Sequence, residues 1–537
     1  MKLPQIEGAI LFNRAHADPK PRWKTIGELL ADAAERYGEW EFLRFPDESL
    51  SFAEADSYAS RLARVLIAHG IRPGDRVAVM MGNEPGWPLS WFAICRAGAI
   101  AVPVNARYGE SDLGYVLKDS GSRMVLASQK CAGLARSVAA STETVEEVCT
   151  LGELSAELAE TPPRNLGVPV EASDIANFQY TSGTTGFPKA CMLTHEYWLT
   201  TAWLIALHAE LHADDVVLTA QAFSYMDPQW NALMCLMGGV PLVVLPRFSA
   251  SGFWNAAREH GATLTYVLGT MPLLLSKQPP GPLDRDNSMR LVLCSGIAQD
   301  RHYSFEERWG APWREVYGST ESGLDLIVSP GATETVGSGA MGHPPAGKEV
   351  LVVDAAGRPL SAGEEQGTGE IVVRGRPMMQ GYWNHPQSTA DAFRGGWFHT
   401  GDLGYRDTAG HIHHAGRLKD MIRRGGENIS SAEVEGVLEG HSAVLAAAVV
   451  AIPDELFEEL PKAFLQLEPK RRADSETVLS VLDHARRHLA RFKVPAFVEI
   501  VDSFPMTPSA RIQKRKLLEP PRDQRTGVFD TSRSTWV

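Results

Sequence analysis

The chain has 537 residues, 44% apolar and 22% charged, a globular balance too long for a single core. Its 65 acidic side chains outnumber 52 basic ones, for a net charge of −13, which excludes general nucleic-acid binding because phosphate affinity needs clustered Lys and Arg. The six cysteines (Cys95, Cys131, Cys149, Cys191, Cys235, Cys294) are dispersed without a CxxC pair, which argues against a disulfide framework or structural zinc and for reduced thiols in a cytoplasmic protein.

The N-terminal MKLPQIEGAI lacks the apolar core of a signal peptide, and no window approaches the roughly 18 apolar residues of a membrane span. From Ile26 to Gly70, IGELLADAAERYG and EADSYASRLARVLIAHG carry apolar residues at helical spacing; Gly70 and Pro73 end the second helix. Short β-rich runs then alternate with helical segments, at 75–81, 123–128, 215–220, 241–246, 264–269 and 290–296. This alternation predicts α/β layers with largely parallel sheets. From Glu349, EVLVVDAAGRPL, GEIVVRG and GHIHHAG predict strands joined by glycine turns, a β-rich subdomain over about 340–416. After the junction GRLKDMIRRGG, two helical segments (SAEVEGVLEGH, SVLDHARRHLARF) and three strands (AVLAAAVVAIPD, PKAFLQLE, PAFVEIVDSFP) predict a compact α+β unit of about 100 residues. The last segment, RDQRTGVFDTSRSTWV, is polar and expected to fray.

The strongest chemical signal is YTSGTTGFPKA, which follows the strand-like IANFQY. Gly183 and Gly186 permit unusual dihedrals. The hydroxyls of Thr181, Ser182, Thr184 and Thr185, with free backbone N–H groups, can wrap phosphate oxygens, and Lys189 adds a positive charge. A P-loop is excluded, because GxxxxGK[ST] needs a wider glycine spacing.

This string resembles the phosphate loop of the acyl-adenylate-forming (AMP-binding) superfamily, which includes acyl-CoA synthetases and the adenylation domains of peptide synthetases. Further motifs recur in order: LCSGIA with Gly296, Ile297 and Ala298; REVYGSTESG with Tyr317, Gly318, Ser319, Thr320 and Glu321; GEIVVRG and GYWNHP; WFHTGDLG with Asp402; GRLKDMIRRGGENISSAEVE; and PMTPSARIQK. The resemblance implies an α/β fold with a large N-terminal AMP-binding domain of layered sheets and helices at 1–416. It also implies a hinge at 417–420, a small mobile α+β C-terminal domain at 421–520, and a tail at 521–537. It further implies an acid–thiol ligase that uses ATP, Mg²⁺ and coenzyme A. A carboxylate attacks the α-phosphorus of ATP, pyrophosphate leaves, and a thiol then takes the acyl group.

Each implied role has a physical reason. Tyr317 offers adenine a flat apolar face. Glu321 suits Mg²⁺, a hard cation held by few carboxylates plus phosphate oxygens. Thr320 can hydrogen-bond the α-phosphate. Asp402 is an acceptor suited to two ribose hydroxyls, and Arg417 adds a donor. Lys419 marks the hinge, and Gly425 and Gly426 suit close approach of a pantetheine chain. The expected partners are the acid, ATP and CoA, with no nucleic acid and no membrane span; a homodimer is one open possibility.

Three features sharpen or disturb this reading. HIHH (411–414) invites a metal assignment, but no Cys or carboxylate spacing supports it. In QAFSYMDPQW, Tyr225 stands where relatives place a histidine, and Asp227 and Trp230 suggest an acyl pocket for a cationic acid. Together with KQPPGPLDRD this segment resembles the carnitine and crotonobetaine ligase branch; the competing reading is that Asp227 caps a helix. A fatty or aryl acid is the other substrate class. In PMTPSARIQKRK, the family pattern Gly-Lys is replaced by Ala510-Arg511. Arginine keeps the charge but its planar fork has a different geometry, so Arg511 either bridges the carboxylate and α-phosphate, slows adenylation, or is an engineered substitution. The alternatives to a CoA ligase are an enzyme that loads a separate carrier protein and an adenylation-impaired ligand-binding relative.

Overall fold

The computed structural model describes residues 20–164, 166–181, 188–362, 367–424, 427–469, 471–506, 512–519 and 524–537. The chain divides into two compact units, Met1–Val350 with Val373–Phe398, and Leu351–Val372 with His399–Val537. It crosses between them within the strands Lys348–Val353, Gly369–Gly375 and Trp397–Arg406.

Two sheets lie wholly within the first unit. A six-stranded sheet runs, edge to edge, Glu147–Cys149, Met124–Ala127, Arg76–Met81, Ile100–Asn105, Ile175–Thr181, Lys189–Thr194. All its pairs are parallel except the last. The run Ile100–Asn105 is buried at every position, as expected for a strand with both faces covered. An eight-stranded sheet runs Gly323–Ile327, Trp313–Ser319, Leu291–Ser295, Leu264–Leu268, Val217–Thr219, Leu242–Val244, Glu41–Arg44, Ser49–Ser51. Only its two end pairs are antiparallel. The α/β layering expected from the alternating runs is therefore present. Four of the six β-rich runs become strands of this sheet, and the other two, at 75–81 and 123–128, become strands of the six-stranded one.

The region Ile26 to Gly70 is not helical throughout. Helices Ile26–Tyr37 and Phe52–Ala68 are separated by the strands Glu41–Arg44 and Ser49–Ser51. Phe42 and Leu43 are fully buried there, too short a run to register as a strand pattern. Ser51 then starts the second helix with a capping box: its hydroxyl accepts the Glu54 N–H (3.1 Å) and the Glu54 carboxylate accepts the Ser51 N–H (2.8 Å).

The second unit is built on a seven-stranded sheet that includes Val444–Asp454, Glu458–Leu467 and Phe497–Ile500, with helices Ser431–Glu439 and Ser475–His488. Its core gathers Ile422, Val434, Leu438, Ala463, Val481 and Val498. The terminal segment corrects one expectation. Its described part, from 524 on, does not fray: Phe529–Asp530 pairs with Phe497–Val498, and Thr535–Trp536 pairs with Phe529–Asp530. Val528 and Phe529 are fully buried, so two apolar residues in a polar tail suffice to dock it. No helix among the described residues is long and apolar enough to cross a membrane.

Candidate active site

The parallel strands Leu291–Ser295 and Trp313–Ser319 are neighbours, so the segments leaving their carboxyl ends emerge side by side. Open α/β sheets bind ligands at such carboxyl ends. Gly296, Ile297 and Ala298 follow the first strand; Tyr317, Gly318 and Ser319 end the second, and Thr320 and Glu321 follow it. Glu315 ties the two segments together. Its carboxylate accepts the N–H of Gly296 (2.7 Å) and of Ile297 (2.9 Å), and Gly296 takes φ +91°, a conformation that favours glycine. Gly296 and Ala298 are exposed, and Tyr317 is half-buried.

The first glycine of YGSTESG has a steric cause. A Cβ on Gly318 would stand 2.0 Å from the carbonyl oxygen of Gly323 on the antiparallel partner strand. The turn between the strands closes locally, with the Ser322 N–H donating to the Ser319 hydroxyl at 3.2 Å. It is also held from outside. The buried Tyr197 hydroxyl donates to the Thr320 carbonyl (2.8 Å), and the Met379 N–H donates to the Glu321 carbonyl (2.7 Å).

Beneath the turn lies a polar network with no signature in the sequence. Lys348 Nζ stands 3.3 Å from Asp325 Oδ1, and both side chains are fully buried. The ammonium also donates to the carbonyls of Ser322 (2.5 Å) and Pro377, and the Ser322 hydroxyl donates to Asp325. Burial pushes Asp325 above and Lys348 below their ordinary values, and each charge opposes the shift of the other.

Glu321 meets a residue from GYWNHP. The Tyr382 hydroxyl donates to Glu321 Oε1 at 2.9 Å, and the Lys189 ammonium lies 5.3 Å from the centre of the Tyr382 ring. Burial, then the Glu321 charge, raises the Tyr382 phenol, which keeps it a donor. Tyr382 also forms an isolated bridge to Cys191, on the strand that begins at Lys189. Three motifs distant in the chain thus converge on one tyrosine. Thr181 and Lys189 are the last register partners of their strand pair and bracket the TSGTTGFPK stretch. Ser182, Gly183, Thr184, Thr185 and Gly186 lie outside the described residues.

Tyr225 is the N-cap residue of helix Met226–Gly238, so Asp227 sits inside the first turn rather than at the cap. The preceding loop is fixed by Gln229, whose side-chain N–H groups donate to the carbonyls of Phe223 and Tyr225, both at 3.0 Å. Asn105 donates to the Tyr225 hydroxyl at 3.1 Å. Trp230 is only 4% exposed, packed edge-on against Tyr266 with ring centres 5.4 Å apart.

In the second unit, Asp402 and Arg417 are cross-strand partners, and Arg417 Nε donates to Asp402 Oδ1 at 3.0 Å. Gly401 takes φ +71° within the strand Trp397–Arg406, so TGD is part of a strand and not a turn. Lys419 is exposed in the short 3₁₀ turn Leu418–Asp420 between two strands. Gly425, Gly426 and Arg511 lie outside the described residues. His411 Nδ1 and His413 Nε2 both approach Asp407 Oδ2, at 3.5 and 2.9 Å, and His413 stacks on Tyr405. The pair therefore has an ordinary carboxylate partner.

Lys514 is engaged by a helix of its own unit. Its ammonium contacts Glu435 Oε1 (2.6 Å) and the Ser431 hydroxyl (2.8 Å), on helix Ser431–Glu439. Burial pushes Glu435 up to about 7, opposed by Lys514. The folded chain then holds a proton that the unfolded chain has released, so this stability is present below the unfolded value of 4.5 and is lost as pH rises through about 7. Glu435→Gln is expected to flatten that loss by about 1–3 kcal/mol, read from unfolding midpoints at several pH values. An unchanged pH profile would rule out this role for Glu435.

A model of the AMP-binding enzyme family matches residues 30–383, and one of the AMP-binding enzyme C-terminal domain matches residues 433–511. A feruloyl-CoA synthase of Amycolatopsis sp. is 34% identical over 475 residues, 88% of this chain and 94% of that protein. A crotonobetaine/carnitine–CoA ligase of Citrobacter koseri is 30% identical over 518 residues, 92% of this chain and 99% of that protein. Among solved structures, o-succinylbenzoate CoA synthetase of Bacillus subtilis, in complex with its acyl-adenylate intermediate, aligns with a TM-score of 0.81 at 27% identity, covering 92% of this chain and 98% of that one.

Proposed function

The chain belongs to the AMP-binding enzyme family as an acyl-CoA synthetase, and from that premise we propose that it activates a neutral aryl or fatty acid as acyl-AMP and passes the acyl group to coenzyme A. A carboxylate oxygen bonds to the α-phosphorus of ATP while the bond to pyrophosphate breaks. The CoA thiol then loses its proton, its sulfur bonds to the acyl carbon, and AMP leaves.

The observation that carries this reading is the convergence of Lys189, Tyr382 and Glu321. A cation over the ring and a carboxylate at its hydroxyl stand beside the turn that carries Thr320. Tyr382 fixes Oε1 of Glu321, and a carboxylate oxygen oriented in this way fits a Mg²⁺ ligand. A bound Mg²⁺ would neutralise phosphate charge as the leaving group departs. We assign adenine to the face of Tyr317 and the Gly296–Ala298 backbone, phosphate to Thr181, Lys189, Thr320 and the 182–186 loop, and ribose to Asp402 with Arg417. Lys419 serves as the hinge of the 421–520 domain, and Gly425 and Gly426 approach pantetheine.

The neutral substrate class rests on two features. The Trp230 ring is buried against Tyr266, so its faces are poorly placed to receive a cation. Asp227 lies in the first turn of a helix, where the helix dipole already favours a carboxylate without any cationic ligand. ATP–pyrophosphate exchange with a panel of acids tests this: hydroxycinnamic and medium-chain fatty acids are expected to support exchange at least about tenfold faster than carnitine, a difference of about 1.4 kcal/mol. Preference for carnitine or crotonobetaine would reverse the assignment.

Arg511 is the cation of the first half-reaction in this reading. Arg511→Lys is expected to speed adenylate formation and to leave thioester formation from preformed adenylate nearly unchanged, because a point ammonium replaces a planar fork. Equal adenylation rates for Arg511→Ala and the parent would remove Arg511 from the chemistry.

A further inference from the structure

Away from these motifs, the end of helix Phe52–Ala68 meets the edge strand Glu147–Cys149. His69, the C-cap of that helix, lies beside Glu147 and Cys149, and one ligand atom from each of the three lies within 4.8 Å of the other two. Glu147 and Cys149 are two apart on a strand, so they share a face. Among the described residues this is the one group of three metal-ligating side chains whose donor atoms converge.

A fourth residue prepares the histidine. Glu157 Oε2 stands 2.9 Å from His69 Nε2, while Nδ1 faces Glu147 Oε2 at 2.9 Å. Once Nδ1 gives up its proton, the carboxylate on Nε2 keeps the other in place and turns the Nδ1 lone pair toward a metal, the arrangement found behind many zinc-bound histidines. Cys149 is 5% exposed.

We propose that His69 Nδ1, Glu147 and Cys149 bind a zinc-type divalent cation, with Glu157 orienting the imidazole. The donor set of nitrogen, oxygen and thiolate sulfur suits Zn²⁺ over Mg²⁺ or Ca²⁺. Ligand bonds of about 2.0–2.3 Å require the widest pair of donor atoms to close by roughly 1 Å, within reach of side-chain rotation. Binding releases the thiol proton and the Nδ1 proton to solvent, and the ion then ties a helix end to a sheet edge. The ligands are 78 and 80 residues apart in sequence (69 to 147 and 69 to 149), which hides them from any spacing rule.

The test is a titration of the full chain, stripped with a chelator, with Co²⁺ and then Zn²⁺. One equivalent of Co²⁺ is expected, with a near-ultraviolet thiolate-to-cobalt band that Zn²⁺ abolishes. Cys149→Ser should lose the band, and Glu157→Gln should keep it while weakening binding about 10–100-fold. Circular dichroism establishes that each variant is folded, and His69→Gln serves as a second ligand variant. Absence of the band in the parent chain, or the same band in folded Cys149→Ser, would overturn the proposal.

Discussion

Glu321→Gln is expected to slow adenylate formation about 100-fold or more, a loss of about 3 kcal/mol, while thioester formation from supplied acyl-adenylate stays within a few fold of the parent rate. The substitution is nearly isosteric, and the amide oxygen still accepts the Tyr382 hydroxyl that now lies 2.9 Å from Glu321 Oε1. What disappears is the negative charge that a hard cation needs. A fold defect would slow both half-reactions together, so single-turnover assays of each step separate the two causes. Equal slowing of both steps, or no slowing, would rule out the role given to Glu321.

Lys348→Met is expected to destabilise the first unit by about 3–5 kcal/mol, because it strands the Asp325 carboxylate without its partner. The pair is fully buried, and Lys348 also satisfies the carbonyls of Ser322 and Pro377. Removing it leaves those acceptors without that donor, while methionine fills much of the volume. Since the turn Ser319–Ser322 rests on this network, adenylation should fall with stability. Replacing both partners with apolar residues should recover part of the loss, because the cost arises chiefly from the uncompensated charge. Thermal unfolding of the parent, Lys348→Met and the double variant measures this; a loss below about 1 kcal/mol in the single variant would show that the pair is dispensable.

These two residues differ in how they can be read. Glu321 sits in a motif whose glycine has a local cause, the 2.0 Å clash that a Cβ on Gly318 would make. Lys348 and Asp325 have no such local sign, since charged residues in strands ordinarily face water and their pairing is purely tertiary. Tyr382 is intermediate: GYWNHP is recognisable as a motif, but the contact with Glu321 spans 61 residues. For the fold, apolar runs such as Arg76–Met81 are legible from pattern, whereas Glu41–Arg44 and Phe529–Asp530 are not, because each rests on only two adjacent apolar residues among polar neighbours. The cysteines are also legible: all six are free and buried.

The proposed attack of the acid's carboxylate on the α-phosphorus of ATP can be followed atom by atom. The enzyme is incubated with ATP, CoA and a substrate acid labelled with ¹⁸O in both carboxyl oxygens. Each AMP released should carry one ¹⁸O, transferred from the acid, and pyrophosphate should be unlabelled. Label in inorganic phosphate with formation of ADP, or acyl-CoA formed with unlabelled AMP, would refute the mechanism.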